Sequence, residues 1–174
     1  IYVDDDPLIK RLDWQQVTSQ KIKYQIQLKS RQQWGYDLKY QGSSLILTLR
    51  HPPQLGNNPQ TPLAGITILL DPGHGGAEKG ALGPNGYPEK AVNLVVSQLL
   101  ERELVKRGAK VYLTRNTDQA VSLKRRVEMI NTLKPHLALS VHYNALPDAG
   151  DAINTAGIGM FWYHTQAADL SRFL

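Results

Sequence analysis

The sequence predicts an α/β domain, a mainly parallel sheet flanked by helices, preceded by a small all-β module. Three observations carry this. From Ile66 onward, short aliphatic runs alternate with longer stretches of helical period, the signature of a sheet with crossover helices. Upstream of residue 51, apolar residues instead recur at every second position. Between the two lies His51 to Pro62 (HPPQLGNNPQTP), rich in proline and without hydrophobic periodicity. The expected organisation is therefore a β-rich module over residues 1–51, a linker over 52–62 and an α/β domain over 63–174.

In the first module Ile22, Tyr24, Ile26 and Leu28 alternate with lysines and glutamines, as on a strand with one wet face. Trp34, Tyr36, Leu38 and Tyr40 form a second run, and the turn at 41–44 leads into Leu45, Leu47 and Leu49, so the two runs predict a hairpin. Leu8, Ile9, Leu12 and Trp14 make either another strand or a helical turn. Three or four strands build at most a small sandwich or half-barrel. At strict period two, the aromatic residues read as its core rather than as a sugar-stacking platform.

In the second part, Ile66 to Leu70 is a short buried strand, stopped by Asp71-Pro72-Gly73, which delivers His74 on a glycine-rich turn. A Gly/Pro-rich loop follows to Pro88. Glu89 then opens a helix whose apolar stripe runs through Leu94, Val95, Leu99, Leu100, Leu104 and Val105 and stops at Gly108. Lys110 to Thr114 is the next strand. Ser122 is placed to cap a second helix with Leu123, Val127, Ile130 and Leu133 on one face and Lys124-Arg125-Arg126 as a solvated run. Leu137 to Val141 is a third strand with His142 at its end, Gly157 to Tyr163 a fourth, and Thr165 to Leu174 a third helix.

Composition narrows the chemistry. A formal charge of +5 favours polyanionic partners, but the basic residues are dispersed, which argues against nucleic acid. No apolar run approaches the roughly 18 residues of a transmembrane segment. Residue 1 is isoleucine and no leader pattern follows it, so a signal peptide is expected to have been removed or left out. There is no cysteine, so a metal would have to be held by His, Asp or Glu.

His74, Glu89 and His142 supply such a set. Strand ends in a parallel sheet gather on one edge, and the helix after the first strand begins on that edge. Two imidazoles and a carboxylate suit zinc and leave a fourth position open. The intervals of 15 and 53 residues form no compact signature, so spacing alone also leaves open a plain turn histidine held by hydrogen bonds.

The stretches LLDPGHGG, PEKAVNL, VYLTRNTD, SLKRRVEMIN and SVHYNA, in that order, resemble the zinc-dependent N-acetylmuramoyl-L-alanine amidases of bacterial cell walls. The resemblance implies that His74, Glu89 and His142 bind Zn2+, and that the substrate is peptidoglycan, cut between N-acetylmuramic acid and the L-alanine of the stem peptide. It further implies an exported protein of the periplasm or cell envelope, a role in cell separation, and restraint by a regulatory protein or an occluding element. The loop from Leu146 to Ala156 is the expected gate. The β-rich module stands where some envelope amidases carry a wall-targeting domain.

The family's second glutamate, its general base, has no candidate after His142, so the domain is expected to be incomplete at its C-terminus, with no catalytic base in this chain. The alternative to an amidase is thus a non-catalytic peptidoglycan-binding or regulatory protein on the same scaffold. Arg115 and Arg126 match family positions and read as salt-bridging struts rather than substrate contacts. Asp71 is expected to hold the His74 ring, and Asn144 to support a ligand or bond substrate.

Overall fold

Two antiparallel hairpins come first in the chain: β1 (Ile9–Thr18) with β2 (Lys21–Leu28), and β3 (Tyr36–Gln41) with β4 (Ser44–Leu49). The computed structural model describes residues 5–83, 85–146, 150–151, 154–155, 157–164 and 167–173. By packing, the chain forms two compact units, Ile1–Pro52 with Ile158–Leu174, and Pro53–Gly157.

In the first unit the period-two pattern sets the register. Trp14 lies opposite Tyr24 and Leu12 opposite Ile26, while Leu38 faces Leu47 and Tyr40 faces Leu45. The ambiguous run around Leu12 is therefore strand. The expected sandwich is not formed among the described residues: each hairpin is its own two-stranded sheet. A ribbon of two strands cannot enclose its own apolar face. The aromatic residues consequently lie open, Trp14 at 59%, Tyr24 at 58% and Tyr40 at 77% exposure, which corrects their reading as core.

The second unit is built on β5 (Thr67–Pro72), followed by α1 (Glu89–Lys106), β6 (Lys110–Leu113), α2 (Leu123–Leu133) and β7 (Leu137–Val141). β5 is central, paired in parallel with β6 on one side and β7 on the other. Being flanked on both sides, it carries a continuous apolar run: Ile68, Leu69 and Leu70 are all buried. Each such side chain contributes roughly 1.5–3 kcal/mol by leaving water. Leu100 and Leu104 of α1 pack on this core from above the sheet, and Leu137 and Leu139 join it from β7.

Both long helices depart from their expected faces. α1 buries Glu89, Asn93 and Ser97, a polar row spaced by four, while Val95, Leu99 and Val105 are exposed. α2 begins as expected at Ser122, whose hydroxyl accepts from the Arg125 N–H, and ends at Lys134 in the left-handed region. Its one buried residue is Arg126, from the run read as solvated, while Leu123, Val127 and Ile130 are exposed. Each helix turns one donor toward the β5 turn: Asn93 of α1 reaches the Gly73 carbonyl, and Arg126 of α2 the carbonyls of Pro72 and His74.

The expected fourth strand at Gly157–Tyr163 does not form. Among the described residues the segment has no ladder partner, and Ile158, Phe161 and Tyr163 are more than 80% exposed. A strand pattern without a neighbouring edge has nothing to donate to. The last element, α3 (Ala168–Phe173), covers part of the third expected helix. No described helix is long and apolar enough to cross a membrane.

Candidate metal centre

Parallel pairing brings Pro72 beside Val141, so the residues that follow β5 and β7 emerge together. His74 adopts a left-handed conformation with φ +59° just past β5, and His142 directly follows β7. Glu89 is the first residue of α1, where the helix dipole favours an anion. The three meet. His74 Nε2 lies 3.3 Å from Glu89 Oε2, His142 Nδ1 lies 3.0 Å from Glu89 Oε1, and the two imidazole rings stand edge to face with centroids 4.9 Å apart. One donor atom from each residue falls within 4.8 Å of the others.

Glycine makes room for this convergence. A Cβ on Gly73 would sit 2.2 Å from the His142 ring. One on Gly80, at φ +68°, would lie 2.5 Å from the His74 ring and 2.6 Å from the Glu89 carboxylate.

The carboxylate forms the floor and the imidazoles the mouth: the Glu89 side chain is 3% exposed, those of His74 and His142 are 27% and 39%. Burial pushes the Glu89 carboxyl up. The Ala81 and Tyr143 N–H groups, the Asn93 amide and His142 outweigh it and hold the carboxyl below its ordinary value. An anion thus persists in a nearly dry position.

Around the ligands, side chains grip the turn by its backbone. Arg115, 1% exposed, donates to the carbonyls of Pro72, Gly73, Lys90 and Thr117, tying the strand end to the first turn of α1. It is a carbonyl clamp rather than a salt-bridging strut. Burial foremost, then the neighbouring Arg126, lowers its pKa. Arg126 pairs with the Asp71 carboxylate and donates to the carbonyls of Pro72 and His74.

Asp71 was expected to hold the His74 ring; its carboxylate instead accepts from Arg126, Thr114 Oγ1 and Ser140 Oγ. Its reach to His74 is indirect, through Arg126 and the His74 carbonyl. Asn144 is exposed and makes no hydrogen bond among the described residues. His136 closes the opposite end of the sheet, its Nδ1 accepting from the Thr67 N–H at 2.9 Å.

Two groups escaped sequence reasoning. Asn93 is fully buried and donates toward Glu89 and the Gly73 carbonyl; its position four residues after Glu89 places it on the same helix face, the signal that was available. Lys90 and Asp118 form an ion pair at 2.6 Å across the turn, Lys90 also donating to the Gly76 carbonyl and Asp118 accepting from the Gly76 N–H. Much of the loop read as a gate, namely 147–149, 152–153 and 156, lies outside the described residues.

The donor set fits a small divalent ion. Two ligands at the tetrahedral zinc distance lie roughly 3.3 Å apart, close to the His74–Glu89 separation. Imidazole and carboxylate are ligands zinc accepts, and no sulfur is needed.

Comparison with known proteins gives the family. The family described as N-acetylmuramoyl-L-alanine amidase matches residues 68–173. The "probable cell wall amidase LytH" of Staphylococcus aureus is 40% identical over 107 residues, covering 60% of this chain and 34% of that protein. The chain thus spans about a third of the length of these curated relatives. Among solved structures, the amidase AmiC2 of Nostoc punctiforme aligns with a TM-score of 0.45 at 34% identity, over 47% of this chain and 45% of the other. Cwp6 from Clostridium difficile aligns with a TM-score of 0.47 at 42% identity, over 50% of this chain and 14% of the other. The CwlD amidase of Clostridioides difficile, solved in complex with the GerS lipoprotein, gives 0.45 at 32% identity, over 47% and 49%.

Proposed function

Because the chain belongs to the N-acetylmuramoyl-L-alanine amidase family, we propose that it acts on peptidoglycan, hydrolysing the amide bond between N-acetylmuramic acid and L-alanine with zinc held by His74, Glu89 and His142. The observation that carries the reading is the meeting of these three side chains around a buried, anionic carboxylate. Zinc held there would supply Lewis acidity, for polarising a substrate carbonyl and lowering the pKa of a water molecule.

The chain's own residues hold and orient such an ion, while the family's general base lies outside this chain in this reading. Glu89 contributes the negative charge that retains a dication, and its low exposure keeps bulk water from competing. His74 and His142 present their rings on the more open side, where a substrate can approach. Arg115 and Arg126 hold the carbonyls of residues 72–74 and so fix the angle at which His74 leaves the sheet. Preorganisation of this kind spares the site a reorganisation cost when a substrate arrives.

In this reading residues 63–174 belong to the catalytic domain, 52–62 link it to the β-rich module, and the module serves wall targeting. Its open aromatic faces, and the net charge of +5 of the whole chain, support that role. The protein then works in the cell envelope, and a regulatory partner is expected because a load-bearing wall cannot be cut freely.

The test is digestion of purified peptidoglycan with and without a zinc chelator, the products read by mass spectrometry. Chelator-sensitive release of stem peptides carrying a free L-alanine amine is the expected result. Cleavage at another bond, or cleavage indifferent to chelation, contradicts the proposal. Zinc binding without cleavage fits a metal centre that lacks its general base, or the wall-binding scaffold.

A further inference from the structure

Asn93 sits in the second turn of α1 with no exposure to solvent. Its Nδ2 lies 3.2 Å from the Gly73 carbonyl and 3.4 Å from Glu89 Oε1, while its Oδ1 has no partner among the described residues. Two acceptors on one side admit only the NH2 end there, because the reverse orientation would set oxygen against oxygen. The amide therefore leaves its own acceptor unsatisfied in order to serve the turn and the carboxylate. That is a costly arrangement for a buried group and a poor one for mere packing.

The same two partners connect the site. Gly73 is the residue against which the His142 ring packs, and its carbonyl also receives Arg115 Nη2 at 2.9 Å. Glu89 Oε1 is the oxygen that faces His142 Nδ1. Asn93 thus touches, by one amide, the oxygen that meets one histidine and the backbone that carries the other.

We propose that Asn93 is the positioning residue of the metal centre, its amide fixing the Glu89 carboxylate relative to the β5 turn so that the three ligands are arranged before the ion binds. The inference rests on the zinc reading of His74, Glu89 and His142. Groups that orient a metal's ligands commonly contribute about 10–100-fold in affinity. Ser97, one turn further along the same buried row, has its hydroxyl unpartnered and makes no hydrogen bond to any of the three ligands, which makes it the internal reference.

The experiment measures zinc affinity by competition with a chromophoric chelator, and the visible spectrum of the cobalt(II) form, for the unaltered chain, Asn93→Leu and Ser97→Ala. Thermal unfolding of the metal-free forms confirms that each variant is folded, and Asn93→Gln replaces Asn93→Leu if the latter is not. The expected result is zinc binding weakened about 10–100-fold with a changed cobalt spectrum in the Asn93 variant, and affinity within threefold of the unaltered chain for Ser97→Ala. An Asn93 variant that binds zinc normally, or a Ser97→Ala variant that loses as much, overturns the inference while leaving the metal reading intact. An unaltered chain that binds no zinc overturns the metal reading, and the inference falls with it.

Discussion

Asp118 shows how a single side chain on a polar loop is recruited by the turn. More than half exposed, it still closes an ion pair with Lys90 and accepts from the Gly76 N–H, and these bonds hold its carboxyl below the ordinary value, the Lys90 bond foremost. The sign follows from linkage. A carboxyl depressed in the folded state contributes stability above its unfolded pKa, and that contribution is lost as pH falls through the folded one. Urea unfolding of Asp118→Asn is accordingly expected to show its deficit at neutral pH and to converge on the unaltered protein in strong acid; a deficit constant with pH would contradict the assignment.

That His74, Glu89 and His142 could converge was legible in the sequence because each lies where an element starts or stops. Asp71 was not: which donor reaches its carboxylate depends on Arg126, 55 residues away in sequence and brought in by the packing of α2.

At the scale of elements, the strands were legible and the helix faces were not. β5, β6 and β7 follow directly from short aliphatic runs, since burial between neighbours selects such runs whatever the topology. α1 carries enough leucine and valine to suggest an apolar stripe, yet it buries Glu89, Asn93 and Ser97 and is turned so that the Asn93 amide meets the Gly73 carbonyl of the turn. α2 is likewise turned to seat Arg126. Periodicity reports which residues are apolar, and a polar site can override it. The start of α2 rests on local chemistry alone. Ser122→Ala is expected to lower stability by about 1 kcal/mol in denaturant unfolding, through loss of the bond to the Arg125 N–H; an unchanged midpoint would show that packing rather than the cap fixes the helix start.

For the whole molecule, the α/β architecture was visible in the order of runs, whereas the fate of the two hairpins was not. A period-two pattern reports that one face is apolar without saying what covers it, so Trp14 and Tyr40 could be read as core although they stand open among the described residues. The Gly157–Tyr163 run failed for a related reason: strand propensity needs an edge to pair with. What the second unit achieves as a whole is to bring two strand ends and one helix start together at a buried carboxylate. The measurement that tests this most directly is the zinc content of the purified chain after dialysis, beside that of His142→Ala. One zinc per chain, lost in the variant, is the predicted result. No bound zinc in the unaltered chain, or equal zinc in both, would contradict the site.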